Sequence, residues 1–155
     1  MIPQSLAAAL VLGQISAPIP SSIQSPLESM IIINPYISPE TKYSAGHRGI
    51  DLQGYLDAEV LSPVTGEVSF VGQVGFRNLI TISFADYKIS LEPVCSTLLV
   101  GDQVSKSQVI GTICEIAPEY QWHCSYCLHM GLRNQSGYLT PEMYLRDMPP
   151  SRLKP

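Results

Sequence analysis

The sequence predicts an all-β domain of antiparallel strands arranged as a sandwich or barrel. Thirteen prolines and eleven glycines are scattered through 155 residues, which favours many turns and argues against long helices. Short segments rich in β-branched and aromatic residues lie between these turns, at the spacing typical of antiparallel folds. A chain of this length is enough for one domain with a real core.

Eight short strands and one helical turn are predicted from these patterns. The first strand is an apolar run within an extended entry segment, and the later ones alternate in polarity or are rich in β-branched residues. In chain order the predicted strands cover residues 30–33, 57–61, 67–71, 78–84, 87–91, 103–109, 111–116 and 128–133. Residues 138–145 are predicted to contain the helical turn, with Thr140 as N-cap and Pro141 at its first position.

The chain is expected to divide into a leader or linker over residues 1–28, one domain over residues 29–147 and a loose tail over residues 148–155. Residues 6–15 have the length of the apolar core of a signal peptide, although no Lys or Arg precedes them. They are too few to cross a bilayer as a helix, so we expect no membrane span.

The low charge of the chain limits the classes of partner that it is expected to bind. The formal net charge is −4 and only 14% of the residues are charged. Binding to nucleic acid or to anionic lipid requires a basic patch. We therefore expect no nucleic-acid partner.

The four cysteines are compatible with two disulfides in an oxidising compartment, or with buried free thiols. Cys124 and Cys127 could close one bridge, and Cys95 and Cys114 the other, although four cysteines allow three connectivities. A zinc site made of all four is disfavoured because only one close C-x-x-C pair exists.

Two of the three histidines lie in contexts that favour metal binding. His47 and Asp51 are four residues apart, and Gly49 between them is expected to let the backbone turn so that both side chains converge. His129 lies on a predicted strand and would complete a set of three ligands. An imidazole and carboxylate set suits zinc, and three protein ligands leave a fourth position open, as in catalytic sites. Such a set also accepts other divalent ions.

The motifs between residues 42 and 145 together resemble the lysostaphin-like, or LytM-type, zinc metallopeptidases of family M23. The first family motif, H-x-x-x-D, stands within the segment HRGIDL, and the second, A-P-x-x-G-x-V, is similar to residues 62–68. The third, V-G-D-x-V-x-x-G-Q-x-I-G, matches residues 100–111 with Ser107 where Gly is usual. The last, H-x-H, corresponds to Cys127-Leu128-His129.

The resemblance implies an all-β, two-sheet, barrel-sandwich-like domain with a groove across the larger sheet. It implies zinc held by His47, Asp51 and His129, and cleavage of stem or cross-bridge peptides of peptidoglycan. A bacterial protein of this kind would be secreted or held in the cell envelope.

Two departures from the family pattern bear on catalysis. Family members carry two further histidines near the metal, and here Glu92 and Cys127 stand at those positions. Glu92 could act as the general base or be a solvated surface carboxylate. Cys127 is a weak donor, and a disulfide with Cys124 would engage it.

Further side chains are open to more than one interpretation. Arg133 could contact a substrate carboxylate or be an ordinary surface charge, and His123 could turn toward the groove or lie in an exposed loop. Tyr120, Trp122 and Tyr126 could line a substrate groove or pack around a disulfide.

Three classes of function compete. The first is a zinc metallopeptidase acting on peptidoglycan. The second is a catalytically impaired module that binds cell wall or activates another wall hydrolase. The third is a carrier or phosphotransfer protein on a related scaffold, where H-x-G-I-D also occurs, although the closing C-L-H-x-G-L-R segment argues against it.

Overall fold

The computed structural model describes residues 23–41, 43–116 and 124–145, and within them almost all regular structure is β. All paired strands are antiparallel, which confirms the predicted fold class. The strands follow in chain order: β1 (Ile32–Asn34), β2 (Ile50–Leu52), β3 (Glu59–Leu61), β4 (Gly66–Val74), β5 (Arg77–Phe84), β6 (Tyr87–Glu92), β7 (Val94–Cys95), β8 (Gln103–Val104), β9 (Val109–Ile113), β10 (Leu128–Asn134) and β11 (Gly137–Leu139).

The strands form one large and one small sheet. The large sheet has the order β1-β2-β10-β6-β5-β4-β8, with β11 added beside β10, and the small sheet has the order β3-β9-β7. β10 therefore lies between β2 and β6, although it comes much later in the chain than either. This crossing of distant segments brings the first and last sequence motifs side by side.

Alternation along the central strands separates a core face from a groove face. On β6 and β10 alternate apolar side chains are fully buried, among them Ile89, Leu91, Met130 and Leu132. The intervening residues of these strands point to the opposite face of the large sheet. The buried side chains of both sheets join in a single hydrophobic cluster, so the other face of the large sheet is available for a site.

The short elements were the hardest to predict. The predicted strand 103–109 is wrong, because β8 ends at Val104 and the chain turns at Ser107, whose φ is +68°, before β9 begins. β2, β7 and β11 were not predicted as strands, since two or three residues carry too little alternation to identify. The helical turn is confirmed as a 3-10 helix over Pro141–Met143, with Thr140 as N-cap.

The beginning of the described chain packs into the domain. Ile23 and Leu27 are buried, and the Ile23 amide donates a 2.8 Å hydrogen bond to the carbonyl of Tyr144. The domain boundary at residue 28 stays a prediction. The candidate signal segment at residues 6–15 and the tail at residues 148–155 lie outside the described residues. Within the described ranges, no helix has the length and apolar character needed to cross a membrane.

Both cysteine pairs form disulfides. Cys95 is bonded to Cys114, and Cys124 to Cys127, which selects one of the three connectivities and excludes buried free thiols. The first bridge joins β7 to the end of β9 within the small sheet. The second closes the short segment immediately before β10.

We expect the two bridges to stabilise the fold unequally. The Cys95–Cys114 pair is separated by 19 positions and the Cys124–Cys127 pair by 3. Loop-closure entropy then predicts losses of about 3 kcal/mol and about 2 kcal/mol when each pair is replaced by serines. Urea unfolding of the two double variants measures the difference, and a larger loss from the shorter loop would contradict it.

Candidate metal centre

The three predicted ligand side chains converge where β2 pairs with β10. Nδ1 of His129 lies 2.8 Å from Oδ1 of Asp51, and Nε2 of His47 lies 3.2 Å from the same oxygen. The two imidazole nitrogens are 3.2 Å apart. Three atoms that could each serve as a metal ligand therefore lie within 3.2 Å of one another, which makes this cluster a candidate metal site.

Strand pairing produces this convergence. Asp51 of β2 and His129 of β10 are directly opposite each other in the antiparallel register. Side chains of directly opposed residues lie on the same face with Cβ atoms about 5 Å apart. His47 reaches the same point from the preceding loop, where its backbone amide and carbonyl both pair with Ile37.

Gly49 is needed for space at a bend of the chain. The backbone bends at residues 48–49, as expected, and it does so without a left-handed φ at Gly49. A Cβ at this position would lie 2.6 Å from Nε2 of His129 and would also collide with the backbone oxygen of Met130. The missing side chain lets the loop lie directly against β10 and the imidazole of His129.

Hydrogen bonds outside the three side chains hold them in place. The carbonyl of Pro35 lies 2.7 Å from Nδ1 of His47, and because a carbonyl only accepts, Nδ1 must donate. In the neutral ring Nε2 of His47 then keeps its lone pair for a metal. The side-chain amide of Asn34 donates to Oδ2 of Asp51 at 2.8 Å, which leaves Oδ1 for the two histidines.

The dimensions of the cluster fit zinc. Tetrahedral zinc with nitrogen and oxygen ligands separates neighbouring ligand atoms by ~3.4 Å. The observed separations of 2.8–3.2 Å need only a small outward movement to match. A second set made of Asp51, Cys124 and Cys127 also has its atoms within 4.8 Å. In that set both sulfur atoms are bonded to each other, so the histidine set is the better candidate.

Glu92 lies beside the cluster. It is opposite His129 in the register of β6 and β10, and it is buried, with a relative exposure of 8%. Nη1 of Arg77 approaches Oε1 of Glu92 at 3.5 Å. Oε2 is buried and has no hydrogen-bond partner within the described residues. A buried carboxylate oxygen without a donor is costly, so a donor from water or from a bound molecule is expected.

The disulfide of Cys127 prevents this residue from acting as an acid or a base. It is fully buried, and its bond to Cys124 leaves no thiol proton. The bridge lies two residues before His129 and shapes the entry into β10. Of the loop aromatic residues, Tyr126 is half exposed, whereas Tyr120, Trp122 and His123 lie outside the described residues.

A groove extends from this cluster along the outer face of the large sheet. The part nearest His129 has a volume of about 380 Å³, and its walls include Arg48 and Tyr138. The Arg48 guanidinium carbon lies 5.9 Å from the centre of the Tyr138 ring, at the outer limit of a cation–π contact. A larger cavity of about 830 Å³ lies elsewhere, between residues 27–31 and 53–61, and contains none of the predicted site residues.

Sequence reasoning missed the residues that support the cluster. Asn34 and Pro35 lie before the first motif, in a segment read only as an extended entry, and Arg77 lies in a hairpin. No local signal marks them, because their role depends on strand pairing and loop packing.

Comparison with known proteins finds relatives over most of the chain. An uncharacterized protein of Mycobacterium tuberculosis is 29% identical over 129 residues, which cover 80% of this chain and 51% of the relative. The chain thus spans about half the length of the curated relatives it matches.

Solved structures share the fold. A zinc-containing peptidase from Vibrio cholerae superposes with a TM-score of 0.65 at 18% identity, covering 83% of this chain and 41% of that one. A mutant catalytic domain of the prophage-encoded M23 protein EnpA from Enterococcus faecalis gives 0.62 at 18% identity, covering 77% and 96%. Residues 45–141, well over half of the chain, match the profile of Peptidase family M23, so the chain belongs to that family.

Proposed function

We propose that this chain is a zinc-dependent metalloendopeptidase that cleaves peptides of bacterial peptidoglycan outside the cytoplasm. The convergence of His47, Asp51 and His129 at the head of a groove is the observation that carries the proposal. Family membership supports a peptidase, and the two disulfides are consistent with an oxidising, extracytoplasmic location.

In this proposal each of the three side chains has one task. Nε2 of His47, Oδ1 of Asp51 and Nδ1 of His129 would hold the ion, and the amide of Asn34 keeps Asp51 in position. When bound, zinc polarises a carbonyl group and lowers the pKa of water.

Glu92 is the proposed general base in place of the family histidine. It lies on the groove face next to His129, and Arg77 fixes one of its oxygens. A carboxylate at hydrogen-bond distance from the attacking water can take its proton and return it to the leaving amine. The buried Oε2, which lacks a donor in the described residues, is the atom we assign to this proton.

The disulfide of Cys127 has a positioning role in the proposal. Because the bridge closes a loop between positions only 3 apart and Cys127 is buried, it restricts the backbone from which His129 projects. The family histidine at this position is thus replaced by a group without a proton, and Glu92 must supply proton transfer alone.

We expect one zinc ion per chain in the purified protein and its loss in His47→Ala. Asn34→Ala should weaken zinc binding about tenfold or more, because the hydrogen bond from the Asn34 amide orients the carboxylate of Asp51. Asn78→Ala is the matched control, since the Asn78 amide contacts the disulfide sulfurs of Cys95 and Cys114. Competition with a chelating dye measures the affinities. A wild-type protein that binds no zinc would overturn the proposal.

Gly49→Ala should also reduce zinc affinity at least tenfold, because the added Cβ displaces the imidazole of His129. Gly131→Ala is the matched control, because Gly131 lies on β10 only two residues after His129. Its Cβ would meet only ordinary contacts, the nearest being 3.4 Å from the backbone oxygen of Arg48. Equal zinc affinities for the two variants, measured in the same dye competition, would show that the close approach at Gly49 is not required.

Replacing Glu92 by glutamine should lower kcat by about 10² to 10⁴, the range for loss of a general base, while zinc content stays at one per chain. Release of new amino groups from purified peptidoglycan measures turnover. Glu59→Gln, on the exposed edge of the small sheet, is the matched control and should leave kcat unchanged.

The same assay separates the peptidase from the second class of function. Zinc-loaded wild-type protein without turnover would contradict the peptidase and favour a module that binds cell wall or activates another wall hydrolase. Full activity in Glu92→Gln would leave the enzyme assignment standing and remove Glu92 from it.

A further inference from the structure

Positive charge is concentrated in the groove of an otherwise acidic chain. Among the described residues, four of the five Lys and Arg side chains line the two adjoining cavities of the groove. These four are Arg48, Arg77, Lys88 and Arg133, and Lys106 is the exception. Glu92 is the one acidic residue among those lining the cavities, and Arg77 already faces it.

Two of these cations are placed against each other. Arg133 of β10 and Lys88 of β6 are directly opposite in the register, and both are exposed on the groove face. Like charges at directly opposed positions destabilise a sheet. Neither side chain has a hydrogen bond or ion pair with another described residue. An anion between them would remove the repulsion.

The floor between the metal cluster and this cation pair is small and polar. Gly131 and Ser90 are opposite each other, between the pair His129–Glu92 and the pair Arg133–Lys88. Ser90 shares a 2.9 Å hydrogen bond with Thr81 of β5. Gly131 offers no side chain to block passage. The cavity nearest His129 and the next one, of about 450 Å³, share five lining residues, so the groove is continuous along this row.

We propose that Arg133 and Lys88 form an anion subsite for a carboxylate of the peptide substrate. The inference rests on the proposed function and specifies its substrate as a peptide with a free carboxylate on one side of the cleaved bond. Arg133 lies four positions after His129 on the same strand, which corresponds to roughly 13 Å. An extended peptide covers that distance in about four residues. The guanidinium of Arg133 suits bidentate binding of a carboxylate, with the ammonium of Lys88 as a second donor.

The test uses the zinc-loaded full chain and two samples of soluble peptidoglycan stem peptides. One sample keeps its free carboxylates, and in the other they are capped as methylamides. Isothermal titration calorimetry at low salt measures binding, because exposed charges are screened less there. We expect the wild-type protein to bind the free carboxylates at least about tenfold more tightly. This preference should be lost in Arg133→Gln/Lys88→Gln and kept in Lys106→Gln.

The outcomes separate the subsite from catalysis. No preference in the wild type, or an unchanged preference in the double variant with an unchanged melting temperature, overturns the subsite, whether or not peptides are cleaved. A preference that depends on Arg133 and Lys88 without any hydrolysis supports the subsite and contradicts the peptidase.

Discussion

The buried carboxylate of Asp51 is the constraint on which the arrangement of the site depends. Asp51 is completely inaccessible to solvent, and a buried charge is tolerated only when it is hydrogen-bonded, paired or coordinated. Asn34 satisfies one oxygen, and the two histidines approach the other. β1, β2 and β10 pair around this carboxylate, and the fold buries it away from water. A divalent cation bound there would therefore offset its negative charge.

The division of the large sheet into two faces connects this centre with the groove. On β10 and β6, alternate side chains form the hydrophobic core, and those between them carry the polar chemistry. A shift of the register by one residue would place His129 in the core. The burial of Met130, Leu91 and their neighbours therefore fixes the positions of His129 and Glu92 as well.

Both departures from the family pattern replace a histidine beside the candidate metal site. The family pattern has two histidines beside the metal. At those positions this chain has Glu92, which is paired with Arg77, and Cys127, which is in a disulfide. Glu92 and Arg77 place an ion pair beside the candidate ligands. The further cations of the groove, Arg133 and Lys88, lie on the same strands as His129 and Glu92, so the cations and the candidate ligand His129 share one face of the large sheet.

The sequence by itself determined the fold class, the longer strands and the helical turn at Pro141, because these follow from local alternation and turn residues. It also identified the three side chains that converge, because the spacing of its motifs resembles that of a known family. It left the connectivity of the cysteines open, and it gave no sign of the close approach between Gly49 and β10. Only the tertiary structure decided that Asn34 and Pro35 orient the cluster, that Gly49 provides space for His129, and that Arg133 lies opposite Lys88. Each of these contacts joins segments that are distant in the chain, and strand register and loop packing set such contacts. No local pattern contains that information.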